Sequence, residues 1–244
     1  MKVLSIGNSF SQDAHKWLHD IAELHNVKIE LANLYIGGCS LETHWKNFEE
    51  DNEDYDLEIN GNEGTAKISI SKALTMDKWD IITLQQVSGF SGFIESYEPY
   101  LSNLAAKVKI VQPDAKIYFH QTWAYEIDSQ HSDFSRYNRE QKTMYSKILE
   151  ASKSAADSLN APIIPVGRVI QFLRENVDVF DYSNGGLSLC RDGFHLSYDY
   201  GRFVAAATWF ITLTGQSLKI ELFNDFDVEL LKKIIVNINS FLNN

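Results

Sequence analysis

Met1-Lys-Val-Leu-Ser-Ile-Gly-Asn-Ser-Phe-Ser-Gln12 decides how the rest of the chain is read. Val3, Leu4 and Ile6 form an apolar run that is too short for a helix and rich in branched side chains, which suits a buried strand. Gly7 ends the run. A helical spacing sets in near Gln12, with Ala14, Trp17, Leu18, Ile21 and Leu24 on one face. Ser9 thus falls in a strand-to-helix turn at the carboxyl end of an expected parallel strand, the edge at which open α/β sheets bind ligands. The glycine permits a sharp turn, and the helix N-terminus behind it favours negative charge. A serine in that place can be a nucleophile with stabilising dipoles beside it, or it can cap the helix, or the turn can hold a phosphate.

Outward from this stretch, strand and helix patterns alternate. Residues 27–35 alternate apolar and polar and read as a second strand, ending in Ile36-Gly37-Gly38-Cys39-Ser40. Ser40 suits the N-cap of a helix over 41–50. Residues 55–59 and 66–70 flank Asn60-Gly61-Asn62-Glu63-Gly64, a hairpin signal. A short helix at 71–78 leads to a buried strand at 81–84, which ends in the polar turn Gln85-Gln86-Val87-Ser88-Gly89. Then come a helix (97–111), a strand (116–123), a loop rich in His, Ser and Asp (126–134), a long helix (135–159) and a strand (162–166). A helix at 168–175, an irregular stretch at 176–191 and helices at 199–213 and 227–242 finish the chain. The pattern predicts one α/β domain over 1–244. It would be a three-layer α/β/α sandwich around a five-stranded parallel sheet, with a small β-hairpin insertion near 55–70.

The 244 residues are 44% hydrophobic and 12% aromatic, enough for one core and too apolar for a disordered chain. A net charge of −11 without a basic cluster excludes nucleic acid and an anionic membrane surface as expected partners. No apolar run of about 18 residues is present, so no transmembrane helix is expected. No charged-then-apolar leader precedes the first strand, which points to the cytoplasm, or to the periplasm or secretion if a leader has been removed. Cys39 and Cys190 match no zinc spacing, and neither a metal nor a cofactor is expected.

Asp192 and His195 stand three apart before a helix. At that spacing a carboxylate can accept the Nδ1–H of the imidazole and leave Nε2 free to take a proton from a serine.

Gly7-Asn8-Ser9-Phe10-Ser11 resembles the first block of the SGNH (GDSL-type) hydrolase superfamily, whose serine nucleophile lies near the N-terminus; Asn8 stands where many members have aspartate. Gly38 resembles the block-two glycine whose N–H helps form the oxyanion hole, and Asp192-Gly-Phe-His195 resembles the last block. The third block departs from the pattern. Members usually carry Gly-x-Asn-Asp, and this chain has Gln85-Gln86-Val87-Ser88. Gln86 takes the asparagine's donor role in this reading, with Gln85 and Ser88 as rivals; strand alternation should point the two glutamines to opposite sides. With residues 37–45, 120–125 and 201–203, the chain resembles an SGNH-like branch described only as a domain of unknown function, common in gut Bacteroidetes.

The resemblance implies an SGNH, flavodoxin-like sandwich with Ser9 as nucleophile, His195 as base and Asp192 as its orienting acid. Ser9, Gly38 and Gln86 would form the oxyanion hole. The implied function is an esterase removing acetyl or other small acyl groups from a carbohydrate through an acyl-enzyme. The alternatives are a non-catalytic carbohydrate-binding protein and an O-acyltransferase using the same residues. The expected partner is a small-molecule or carbohydrate ester.

Gln85, Ser88, His120, Trp123 and Tyr125 are the substrate-binding candidates. His120 can line the pocket or be a hydrogen-bonded strand-end histidine. Trp45, Trp123 and Tyr125 can stack on a sugar ring or fill the core. His15 and His19, four apart on a helix with no third ligand evident, read as surface residues. Arg202 can meet an anionic group or form a structural ion pair. The acidic run 49–54 reads as a solvated loop.

Overall fold

The structure, a computed structural model, describes residues 1–243. β1 (Lys2–Gly7) lies mid-sheet, parallel to β2 (Glu30–Tyr35) on one side and β5 (Ile81–Leu84) on the other, with Ile6 opposite both Leu34 and Leu84. β6 (Lys116–His120) and β7 (Ile163–Ile164) continue the parallel ladder. These are the five expected parallel strands. The 55–70 hairpin does more than decorate the edge: β3 (Tyr55–Ile59) pairs antiparallel with β2, and β4 (Lys67–Ile68) with β3. The result is one seven-stranded sheet in the order β4-β3-β2-β1-β5-β6-β7. At the hairpin tip Asn60 and Gly61 have φ of 51° and 72°, the two left-handed residues that a type I′ turn requires.

Alternation along β1 sends Val3 to one face of the sheet and Leu4 and Ile6 to the other, and each face has its own core. On the Val3 face lie α1 (Ser9–His15), α2 (Leu18–Leu24), α7 (Val166–Asn176), α8 (Tyr200–Thr214) and α9 (Val228–Asn243). On the other lie α3 (Leu41–Glu49), α4 (Ile70–Thr75) and α5 (Tyr100–Val111). α6 (Gln141–Leu159) gives Met144 and Ile148 to the first core and Ala151 and Ala155 to the second. α8 is buried continuously from Phe203 to Ile211, which is why its sequence is apolar on all sides.

Several boundaries differ from the sequence reading. The first helix starts at Ser9 and divides at Trp17, which leaves the helical conformation and donates its indole N–H to the Tyr198 carbonyl at 3.3 Å. Ala14, Leu18 and Ile21 are buried as expected, and Leu24 is exposed. β2 begins only at Glu30 because residues 25–27 close α2, with Asn26 left-handed and the His25 and Val27 N–H groups returning to Ala22. The helix expected from 135 begins at Gln141, since Asn138 and Arg139 are both left-handed and end a 3₁₀ segment, Ser132–Tyr137.

Candidate active site

Asn8, not Ser9, caps α1. Its Oδ1 accepts the Phe10 N–H at 3.0 Å, and its own N–H donates to Ser11 Oγ at 3.1 Å, a reciprocal capping box. Ser9 is therefore the first helical residue and its hydroxyl is not spent on capping. Gly38 leaves β2 on the neighbouring strand end and lines the same cavity as Ser9. Neither the Ser9 nor the Gly38 N–H has a hydrogen-bond partner among the described residues.

The Asp192–His195 turn is folded by its own carboxylate. Asp192 Oδ1 accepts the Phe194 N–H at 3.2 Å and the His195 N–H at 2.8 Å. Oδ2 accepts from His195 Nδ1 at 2.8 Å; an ionised carboxylate only accepts, so Nδ1 carries the hydrogen. Nε2 then holds a lone pair and accepts the Ser9 hydroxyl at 2.9 Å. Partial burial pushes the Asp192 carboxyl up, but the bonds from His195 and the two backbone N–H groups outweigh it and leave the group below its usual range. Gly193 is left-handed (φ 84°), and a Cβ there would lie 2.9 Å from Ser129 Cα, so only glycine makes this turn. The loop is held from behind by Glu126 N–H to the Gly193 carbonyl (2.7 Å) and Trp123 Nε1–H to the Phe194 carbonyl (2.8 Å).

Sequence reasoning missed the tie between the two halves of the site. Asp13, fully buried on α1, accepts from Arg191 Nη1 at 3.0 Å, from Arg202 Nε at 2.7 Å and from the Leu196 N–H at 2.9 Å. Arg202 is thus a structural ion pair. Asp13 lies four residues after Ser9 on one helix, and that spacing was the available signal.

The cavity over Ser9 measures about 370 Å³ and is lined in part by Tyr35, Gly38, Ser88, His131, Asp133 and His195. Of the expected substrate-binding residues only Ser88 lines it. Tyr125 is buried behind Ser88, their hydroxyls 2.8 Å apart. Trp123 is also buried, stacked on Phe10 at 4.0 Å between ring centroids, so neither aromatic offers a face to a sugar. Tyr35, Phe194, His131 and Asp133 were not singled out, although the last two lie in the His/Ser/Asp-rich loop. Trp45 packs against Phe48.

Gln86 does not reach the cavity. Its Nε2 donates to the Ser96 carbonyl at 2.9 Å and to Ser96 Oγ at 3.1 Å, and its Oε1 accepts the Leu41 and Val87 N–H groups. The amide is consumed in fastening the loop after β5, which removes it as the oxyanion donor. Gln85 points to the opposite side, as alternation requires, but it is buried against Asn8 and His120. His120 is a buried strand-end histidine rather than a pocket residue. His15 is not on the surface either: it is buried, with Nε2 2.8 Å from Ser5 Oγ. His19 places Nδ1 2.8 Å from the Ile29 carbonyl. Among the described residues, no three His, Cys, Asp or Glu side chains are grouped to hold a metal, and no helix is long and apolar enough to cross a membrane.

Residues 2–236 match the family described as Domain of unknown function (DUF4886). A DUF4886 family protein from Bacteroides uniformis, known from its crystal structure, superposes with a TM-score of 0.92 at 34% identity, covering 100% of this chain and 95% of that one. A Slackia heliotrinireducens protein provisionally described as an SGNH hydrolase gives a TM-score of 0.58 at 20% identity, over 87% of this chain and 98% of its own. An acetylxylan esterase from Geobacillus stearothermophilus gives 0.56 at 14% identity, over 89% and 96%. The last two likenesses establish the SGNH-type fold. Among curated proteins there is no match.

Proposed function

The chain belongs to the DUF4886 family, and from that membership and the geometry at Ser9 we propose that it is a serine ester hydrolase of the SGNH type, removing acetyl or another small acyl group from a carbohydrate. One observation carries the reading: Ser9 Oγ, His195 and Asp192 form a continuous line, 2.9 Å and 2.8 Å long, across 186 residues of sequence. A binding protein has no use for that line, so the non-catalytic alternative has nothing to favour it.

In this mechanism His195 Nε2 takes the Ser9 proton as Oγ attacks the ester carbonyl. The carbonyl oxygen becomes an oxyanion and turns to the Ser9 and Gly38 N–H groups, which have no other partner among the described residues. Collapse expels the alkoxide, which leaves as the alcohol with the proton from His195. Water, deprotonated by the same nitrogen, then attacks the acyl carbon; Ser9 recovers its proton and the acid departs. Asp192 keeps the tautomer and stabilises the imidazolium throughout. Ser88, its hydroxyl backed by Tyr125, faces the substrate from the cavity wall. The size of the cavity, about 370 Å³, and the acetylxylan esterase among the fold relatives support a small acyl group on a sugar.

The test is labelling with a fluorophosphonate probe followed by peptide mass spectrometry. Modification at Ser9, lost in His195→Ala, supports the reading. An unlabelled Ser9 in the folded protein overturns it.

A further inference from the structure

Behind the site runs a chain of side-chain hydrogen bonds, Asn8–Gln85–His120, whose direction is fixed at its Asn8 end. The Phe10 N–H can only donate and the Cys39 carbonyl can only accept, so Asn8 must present Oδ1 to the first (3.0 Å) and Nδ2 to the second (3.0 Å). Gln85 meets the same Oδ1 at 2.7 Å and must therefore present Nε2. That leaves Gln85 Oε1 facing His120 Nδ1 at 2.7 Å, and Nδ1 must carry the hydrogen. His120 Nε2 is then a bare lone pair; it is buried and has no partner among the described residues, and Trp209 lies edge-on at 5.1 Å between centroids. Each member of the chain is at most 2% exposed. Burial, with His15 nearby, also lowers the His120 pKa to about 3, so the ring stays neutral.

Asn8 is where this chain meets chemistry. Its one amide grips the Ser9 turn through Phe10 and the Gly38 loop through Cys39, and each of those segments supplies one oxyanion donor. We propose that Gln85 and His120 are positioning residues that lock the Asn8 amide in one orientation and so set the spacing between the Ser9 and Gly38 N–H groups. The catalytic consequence rests on the esterase reading; the polarity of the chain does not. In this family member the strand end that should supply an oxyanion donor instead braces two backbone donors.

Gln85→Met keeps length and removes both bonds; Gln85→Glu keeps shape but, when ionised, sets an acceptor against Asn8 Oδ1. Turnover of Gln85→Met on p-nitrophenyl acetate should fall about 10²-fold with KM nearly unchanged, the scale of a sub-ångström to 1 Å misplacement. Gln85→Glu should regain turnover relative to wild type as the pH is lowered, because the introduced carboxyl, once protonated, can donate to Asn8 while its carbonyl oxygen accepts from His120. Nitrogen-detected NMR of the wild type should show His120 as the neutral Nδ1–H tautomer, and Gln85→Met should shift the Gly38 and Ser9 amide resonances together. Wild-type turnover in Gln85→Met would overturn the positioning role, as would a kcat loss equalled by Gln86→Ala at the same loss of melting temperature. An Nε2–H His120 would overturn the polarity. If wild type neither labels at Ser9 nor hydrolyses esters, the esterase reading fails, and the NMR measurements still decide whether Gln85 couples the two loops.

Discussion

Asp13 Oδ2 accepts the Leu196 N–H at 2.9 Å, so the helix that opens with Ser9 also grips the residue immediately after His195. Ser9 and His195, 186 positions apart, share one rigid mount. Two arginines neutralise the carboxylate there, which is how a fully buried charge is tolerated.

Asp13→Asn removes the negative charge and leaves Arg191 and Arg202 without an anion, both largely buried. The expected cost is about 3–5 kcal/mol of unfolding free energy, read from urea titration, because the uncompensated charges stay in a poorly solvated place. Ester turnover should fall as well, since Leu196 loses its anchor.

Asp192→Asn probes the tautomer. The Oδ1 of the introduced amide can still hold the turn, but the other atom becomes an NH₂ that cannot accept from Nδ1–H. Turnover should drop about 10³–10⁴-fold with a small change in melting temperature. A loss under about tenfold would argue that Asp192 only shapes the loop.

Gln86→Ala leaves the Leu41 and Val87 N–H groups and the Ser96 carbonyl without their partner. We expect about 1–3 kcal/mol of lost stability by denaturant titration, and turnover close to wild type at temperatures where the variant is folded. A large kcat loss in a folded variant would restore Gln86 to the oxyanion hole.

His15, His44 and His120 are buried, and burial lowers each pKa from 6.5 to about 3, with His15 adding to the effect at His120. Below about pH 6.5 the unfolded chain takes up these protons and the folded one does not. Their contribution to stability is therefore whole above that pH and is lost as the pH falls towards about 3, by up to about 1.4 kcal/mol per pH unit for each ring. Glu58, raised by burial despite donors from Asn33 and Gln12, works in the opposite sense and favours the folded state on the acid side. Urea midpoints between about pH 7 and about pH 4 should fall with pH, and His44→Gln should flatten the slope. A midpoint independent of pH across that range would contradict the neutral buried rings.

The parts of this protein legible in its sequence are those governed by local rules. β1, Gly7 and the Ser9 turn follow from a short apolar run ending at a glycine, and Asn60-Gly61 announces its own turn. Asp192 and His195 are close in sequence, so their geometry is nearly local too. What local rules misplace depends on distant partners. That Gln85 and Gln86 point to opposite sides follows from strand alternation, but what each amide meets, Asn8 and His120 or Ser96 and Leu41, is decided by segments that only folding brings together. His15 reads as exposed because its partner Ser5 lies on a strand, and Trp123 reads as available because nothing local shows Phe10 already stacked on it.

The two margins of the sheet are β4 and β7, each two residues long. A sheet recruits another chain by offering a long row of free N–H and C=O groups, and a two-residue margin offers almost none. Lys67 puts a charged residue on β4, its ammonium paired to Asp56 of β3 at 2.8 Å, and charged residues on a margin disfavour strand addition. The five parallel strands that carry the cavity are thus shut off from edge-on stacking on both sides, and a concentrated solution of the folded chain should resist assembly into fibres.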